Sequence, residues 1–188
     1  MTQTIVLNRQ GLPKEMQVLL RDYPREAWPD HPNFARSIQN WMGAHQMFRK
    51  IGEICRSETE LYLDHERDAA DFAGRLGHYG NFLVANLHGH HSWEDQAFFP
   101  ELQKADPRFE SGLEALEADH VAMDELLERF TTGANRVIKL TQLDEKQAHT
   151  EASALQKTGS EIEQFLVRHL SDEEDLVVPI LLHHKMRG

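Results

Sequence analysis

An all-α protein is predicted, an antiparallel up-down four-helix bundle with an N-terminal arm that contains one short helix. Three observations carry this prediction. Apolar residues recur at three-and-four spacing through four long stretches, and no segment alternates with period two over a useful length. Four of the seven prolines (Pro13, Pro24, Pro29 and Pro32) fall in the first 32 residues, after which helical periodicity takes over.

The arm, residues 1–32, holds "PKEMQVLLRD", opened by Pro13 in its first turn. The bundle occupies 33–188. Its first helix is predicted from about Asn33 to Leu63, with Phe34, Ile38, Trp41, Phe48 and Ile51 on one face. The second spans about Ala70 to Gln103, with Tyr79, Leu83, Ala97 and Phe98 on its stripe. Gly74, Gly77, Gly80 and Gly89 weaken this helix by ~1 kcal/mol each relative to alanine. The third spans about Ser111 to Leu140 through Leu113, Leu116, Met123, Leu127 and Phe130. The last spans about Asp144 to His184 through Ile162, Phe165, Leu166, Leu176 and Ile180. Breaks are expected at "DHERD" (64–68), "ADPRF" (105–109) and "TQLDEKQ" (141–147).

Composition narrows the function. A chain of 188 residues fits one domain able to bury its own core. The net charge of −11 argues against nucleic acid and against anionic membranes, both of which call for basic surface. No apolar run reaches the roughly 20 residues of a membrane helix. The start, "MTQTIVLNRQGLPKEM", lacks the pattern of a secretion signal, so a cytoplasmic location is expected. Cys55 is the sole cysteine, which excludes an internal disulfide and a cysteine-based metal site. Twelve histidines, in contrast, are many for this length, and histidine is the commonest metal ligand.

Several histidines fall on the stripes that face the core. In the last helix His169 follows Phe165 by four, and Glu173 follows His169 by four. An unpaired charge there would cost several kcal/mol, so the pair needs a partner such as a metal. His45 lies between Trp41 and Phe48, and His120 between Leu116 and Leu127. In the second helix His88, His90 and His91 compete. An internal repeat selects among them: "HHSWEDQAFFP" from His90 and "HLSDEEDLVVP" from His169 share His-x3-Glu-acid-x4-Pro, which pairs His90 with His169 and Glu94 with Glu173. His90 also continues the stripe of Tyr79, Leu83 and Asn86, whereas His91 is rotated about 100° away. Substituting His91 is therefore expected to leave a metal site intact.

Each predicted turn bisects the donors on either side of it. "DHERD" lies midway between His45 and His90, "ADPRF" midway between Glu94 and His120, and "TQLDEKQ" midway between His120 and His169. Equal outward and return paths bring all four histidines to one level of an antiparallel bundle. Four imidazoles and two carboxylates exceed what one tetrahedral zinc accepts. They suit two octahedral metals, with about one open position each once an oxo or hydroxo bridge is counted. Imidazole with carboxylate and an open position fits two non-haem iron ions, and the donor types also permit manganese or zinc. Asp95 and Glu174, beside the glutamates, are candidate outer partners, and Asp124 a candidate seventh ligand. Tyr79 is a candidate proton donor, and Trp93 and Phe98 candidate pocket walls. The remaining histidines read as peripheral, among them His183 and His184 at the end of the last helix.

With these motifs in a bundle alongside His45 and His120, residues 33–182 resemble the hemerythrin family, in particular its HHE cation-binding domains. The resemblance implies an up-down four-helix bundle around a non-haem di-iron centre, with ligands at His45, His90, Glu94, His120, His169 and Glu173. Oxygen-carrying hemerythrins have a second histidine four residues after that of the third helix, where this chain has Asp124. Their last-helix carboxylate falls where this chain has Glu174. The symmetric pattern looks more like the bacterial branch associated with iron–sulfur cluster repair and nitrosative or oxidative stress, although the cysteine motif usual in those repair proteins is missing. The expected partner is a small molecule, O2, NO or peroxide. It is either held by a binding protein or activated by an enzyme, the further alternative being a non-redox metal-handling or structural helical bundle.

Overall fold

The structure, a computed structural model, describes residues 11–186. Residues 1–10, on which part of the secretion-signal expectation rests, and residues 187–188 lie outside the described residues. Every regular element described is helical, and the chain is a helical bundle with a short N-terminal helix. A 3-10 turn, Lys14–Gln17, leads into α1 (Val18–Asp22), and another follows at Arg25–Ala27. The long helices are α2 (Arg36–Leu63), α3 (Ala69–Trp93), α5 (Glu110–Leu143) and α6 (Glu145–His183). Between α3 and α5 lie a π-helical turn, Glu94–Phe98, the short α4 (Phe99–Ala105) and a 3-10 turn, Pro107–Phe109.

Two of these features differ from expectation. The predicted second helix is not one α-helix, because the Phe99 N–H bonds the Glu94 carbonyl five residues back. Pro100 follows at once, and its ring can neither donate to nor sit against a carbonyl four residues earlier, so the wider turn accommodates it. Pro179, at the matching place in the repeat, stays inside a continuous α6. The last break is also shorter than predicted: Asp144 alone separates α5 from α6, and its Oδ1 accepts the Gln147 N–H at 3.0 Å.

The chain divides into two compact units. One comprises Phe48–Gly89 and Met123–Phe165. There Tyr62 stacks on Phe72 with centroids 4.3 Å apart, and Phe48, Leu76, Leu83, Phe130 and Ile162 are buried. Arg56 pairs with Glu163 and Gln156 with Glu60; Arg129 pairs with Glu161 and Arg136 with Glu151, registers that run α2 and α5 antiparallel to α6. A Cβ on Gly80 would lie 3.2 Å from Phe130, so the glycine permits a close approach that offsets its weak helix propensity.

The other unit takes in the described part of Met1–Met47, with His90–Ala122 and Leu166–Gly188. Arm residues Leu12, Met16, Leu19 and Trp28 join its core beside Trp41, Phe99, Leu102, Phe109 and the apolar run Leu176–Leu182. Trp28 is 3% exposed, and its Nε1 donates to the Tyr23 carbonyl at 2.7 Å. Burying a side chain of that size makes the arm part of the core. Trp28→Ala is expected to cost about 3–5 kcal/mol in urea unfolding; a loss under about 1 kcal/mol would show the arm to be a dispensable cover.

Candidate metal centre

All six donors expected from the sequence lie in the unit that holds the arm, and the structure brings them together. α2 supplies His45, the end of α3 supplies His90, and Glu94 opens the π-turn. His120 comes from α5, and His169 and Glu173 from α6. His45, Glu94, His169 and Glu173 are fully buried and His120 nearly so. A seventh donor joins them. His91 is buried, its ring stacked on His120 at 3.9 Å between centroids and edge-on to His169 at 5.4 Å. The expectation that His91 faces away from the centre is overturned.

The stripe was misread because Asn86, used to extend it, is exposed, whereas Leu87 is fully buried. His90 and His91 follow Leu87 by three and four residues, and a helix with a wide buried face turns both positions inward. Ala97, likewise expected on the stripe, is exposed, since the π-turn advances the face to Phe98 and Phe99.

The donors form two groups, each with its ligand atoms within 4.8 Å of one another: His91, His120 and His169 in one, and His45, His90, Glu94 and Glu173 in the other. The carboxylates reach both. Glu94 Oε1 lies 2.9 Å from His90 Nε2, and Oε2 lies 3.8 Å from His120 Nε2. Glu173 Oε2 lies 3.4 Å from His45 Nε2 and 3.8 Å from His169 Nε2. His45 Nε2 and His90 Nε2 face each other at 3.0 Å. Among the buried atoms, both ring nitrogens of His91 and Nε2 of His120 have no hydrogen-bond partner. A buried imidazole whose lone-pair nitrogen has no donor facing it is costly unless a cation takes that lone pair, so the donor set fits metal.

Outward-facing carboxylates fix three of the rings. His45 Nδ1 donates to Glu174 Oε1 at 3.1 Å, His120 Nδ1 to Asp95 Oδ1 at 2.7 Å, and His169 Nδ1 to Asp119 Oδ2 at 3.3 Å. Each bond holds the proton on Nδ1 and leaves Nε2 to face the centre. Asp95 and Glu174 thus stand where the sequence suggested outer partners. Asp119 was missed, though it follows Leu116 by three as His120 does by four. Arg168 grips Asp119 with two bonds, at 2.8 and 3.1 Å, and Trp41 Nε1 donates to Glu94 Oε1 at 2.7 Å.

Two expected residues are elsewhere. Asp124 is exposed and pairs with the exposed His88 at 3.4 Å, in the other compact unit. Tyr79 sits under the Arg75 guanidinium, 5.6 Å from its ring centroid, in the other compact unit. Trp93 and Phe98 do line a cavity, of about 130 Å³, with Ser37, Ile38, Trp41 and Leu181. His183 and His184 are each engaged separately, with Tyr23 and Asp106.

Residues 36–181 match the hemerythrin HHE cation binding domain, and the chain belongs to that family. No curated protein and no solved structure matches it significantly. No helix among the described residues is long and apolar enough to cross a membrane.

Burial pushes the His45 and His91 pKa values down, His91 well below the ordinary imidazole range, and lowers His169 to about 4 against the pull of Asp119. Burial opposes ionisation of Glu94 too, yet its bond with His90 and the surrounding imidazoles hold it at about 2. Glu173, fully buried beside Glu94, is pushed well upward. A stability window follows for the metal-free protein. As pH falls below about 6.5 the unfolded chain protonates its histidines, while the folded core refuses the His169 proton until about 4. His45 and His91 act with the same sign. Glu173 opposes them, because its raised pKa stabilises the fold as pH falls, but it is one group against three. The melting temperature of metal-free protein should therefore drop between pH 6.5 and 4 in differential scanning calorimetry; an unchanged value across that window would contradict the buried neutral imidazoles.

Proposed function

We propose that this chain is a non-haem di-iron hemerythrin-like protein that binds or responds to a small diatomic molecule or oxidant, O2, NO or peroxide. One observation carries the reading: Glu94 and Glu173 of one donor group lie 3.8 Å from His120 and His169 of the other, while buried imidazole nitrogens of His91 and His120 lack any hydrogen-bond partner. His91, His120 and His169 would hold one ion, His45 and His90 the other, and the two glutamates would serve both. The donor count is therefore five histidines and two carboxylates rather than the four and two expected from the repeat. The pair His45 and His90 offers one imidazole fewer than the triad and so would leave its ion more room for a small ligand. Iron, when bound, supplies reversible one-electron chemistry and a site for that ligand.

The chain's own residues define the rest. Glu174, Asp95 and Asp119 orient the rings, and Trp41 steadies Glu94. The apolar shell of Trp41, Phe98 and Phe99 limits water near the centre.

Metal content per chain, measured with an absorption spectrum before and after anaerobic reduction, tests the reading. About two irons with near-ultraviolet bands that bleach on reduction are expected. Two zincs, or no metal after reconstitution with ferrous iron, would overturn it. His91→Ala should lower the content to about one ion per chain by emptying the triad, as His90→Ala should for the other group. A His91→Ala protein that keeps two ions would restore the four-histidine site.

A further inference from the structure

The arm reaches the centre through one side chain. Arg25, in the 3-10 turn Arg25–Ala27, lies outside the matched domain of residues 36–181. Its Nη1 donates to Glu174 Oε2 at 2.8 Å, its Nε to Asp175 Oδ1 at 2.5 Å and its Nη2 to the Ser171 carbonyl at 2.8 Å. The guanidinium also lies over the ring of Trp28, 5.1 Å from its centroid, and Trp28 is itself buried in the core. Glu174 is buried, and its other oxygen accepts from His45 Nδ1 at 3.1 Å. A single buried carboxylate thus joins an arginine of the arm to an imidazole of the centre.

We propose that Arg25 is a positioning residue of the metal centre: it holds Glu174, and through Glu174 the His45 imidazole, and so sets the reduction potential of the metal that His45 and His90 would hold. The inference rests on the di-iron reading above. Its physical basis is the sharing of one carboxylate between two donors. An arginine on Oε2 draws charge from Oε1 and weakens its pull on the His45 Nδ1 proton. Without that arginine, Glu174 accepts more strongly, His45 becomes the better electron donor, and the oxidised ion is favoured. Loss of a positive charge acts in the same direction. The fork geometry matters as well, since only a planar guanidinium meets Glu174, Asp175 and the Ser171 carbonyl together.

The test is a potentiometric titration of iron-loaded full-length protein, followed by its near-ultraviolet bands, in wild type, Arg25→Gln, Arg25→Lys and Arg108→Ala. Arg25→Gln is expected to keep its iron and to show a lower potential, with the reduced-to-oxidised ratio at the wild-type midpoint down about threefold or more. Arg25→Lys, which keeps the charge without the fork, should fall between. Arg108→Ala removes a cation of the same unit that pairs with Asp106 and not with Glu174, and should match wild type. An iron-loaded Arg25→Gln at the wild-type potential would overturn the proposal, as would an equal shift in Arg108→Ala. Should Arg25→Gln fail to fold or load, Arg25→Lys decides: a lowered potential supports the proposal, and an unchanged one overturns it. Wild-type protein without bleachable iron bands would instead defeat the di-iron reading.

Discussion

Seven side chains of metal-ligating type share the interior of one helical unit, and most of what surrounds them follows from the cost of keeping them there. An ionised carboxylate without a partner costs several kcal/mol in such a place. Glu94 and Glu173 stand together among five imidazoles, and burial keeps His45, His91 and His169 from protonating freely. A cation answers both needs, drawing charge from the carboxylates and lone pairs from the rings. Without one, buried polar atoms stay unsatisfied, so metal loading would raise stability.

Charge is passed outward in steps. Asp119 takes the His169 proton side and is itself gripped by Arg168; Glu174 takes that of His45 and is gripped by Arg25. Asp95, on His120, is the most exposed of the three acids, so bulk solvent screens its charge. These three imidazoles thereby have tautomer and ring plane set in advance, which would lower the reorganisation that metal binding requires.

Backbone irregularity serves the same end. The π-turn at Glu94–Phe98 places Glu94 at the centre while turning Phe98 and Phe99 into the core and Ala97 to solvent. A continuous α-helix would point Ala97 inward beneath Glu94 and leave space where the aromatic rings now pack. The centre is also asymmetric, with three histidines in one group and two in the other, although the sequence motifs on α3 and α6 repeat each other. The repeated prolines behave differently as well, since Pro179 is absorbed into α6 and Pro100 follows a π-turn.

Much of this was legible in the sequence. Apolar periodicity marked the four long helices, and the equal spacing of donors about each break implied that His45, His90, His120 and His169 would meet, because an antiparallel return cancels the outward path. Periodicity, however, resolves a helix face only to steps of about 100°, and a core-facing helix buries an arc wide enough for two adjacent positions. That is why His91 beside His90, and Asp119 beside His120, went unseen. The π-turn was hidden because its cause, the clash at Pro100, can be relieved in more than one way, as Pro179 shows. Arg25 was beyond reach for a different reason: it meets Glu174 across 149 residues of chain. No local pattern encodes a contact that exists only once the arm packs onto α6. The sequence by itself determined which helices form and which donors they carry inward; the tertiary structure alone decided which neighbours of those donors join them, because that choice depends on what packs from the other side.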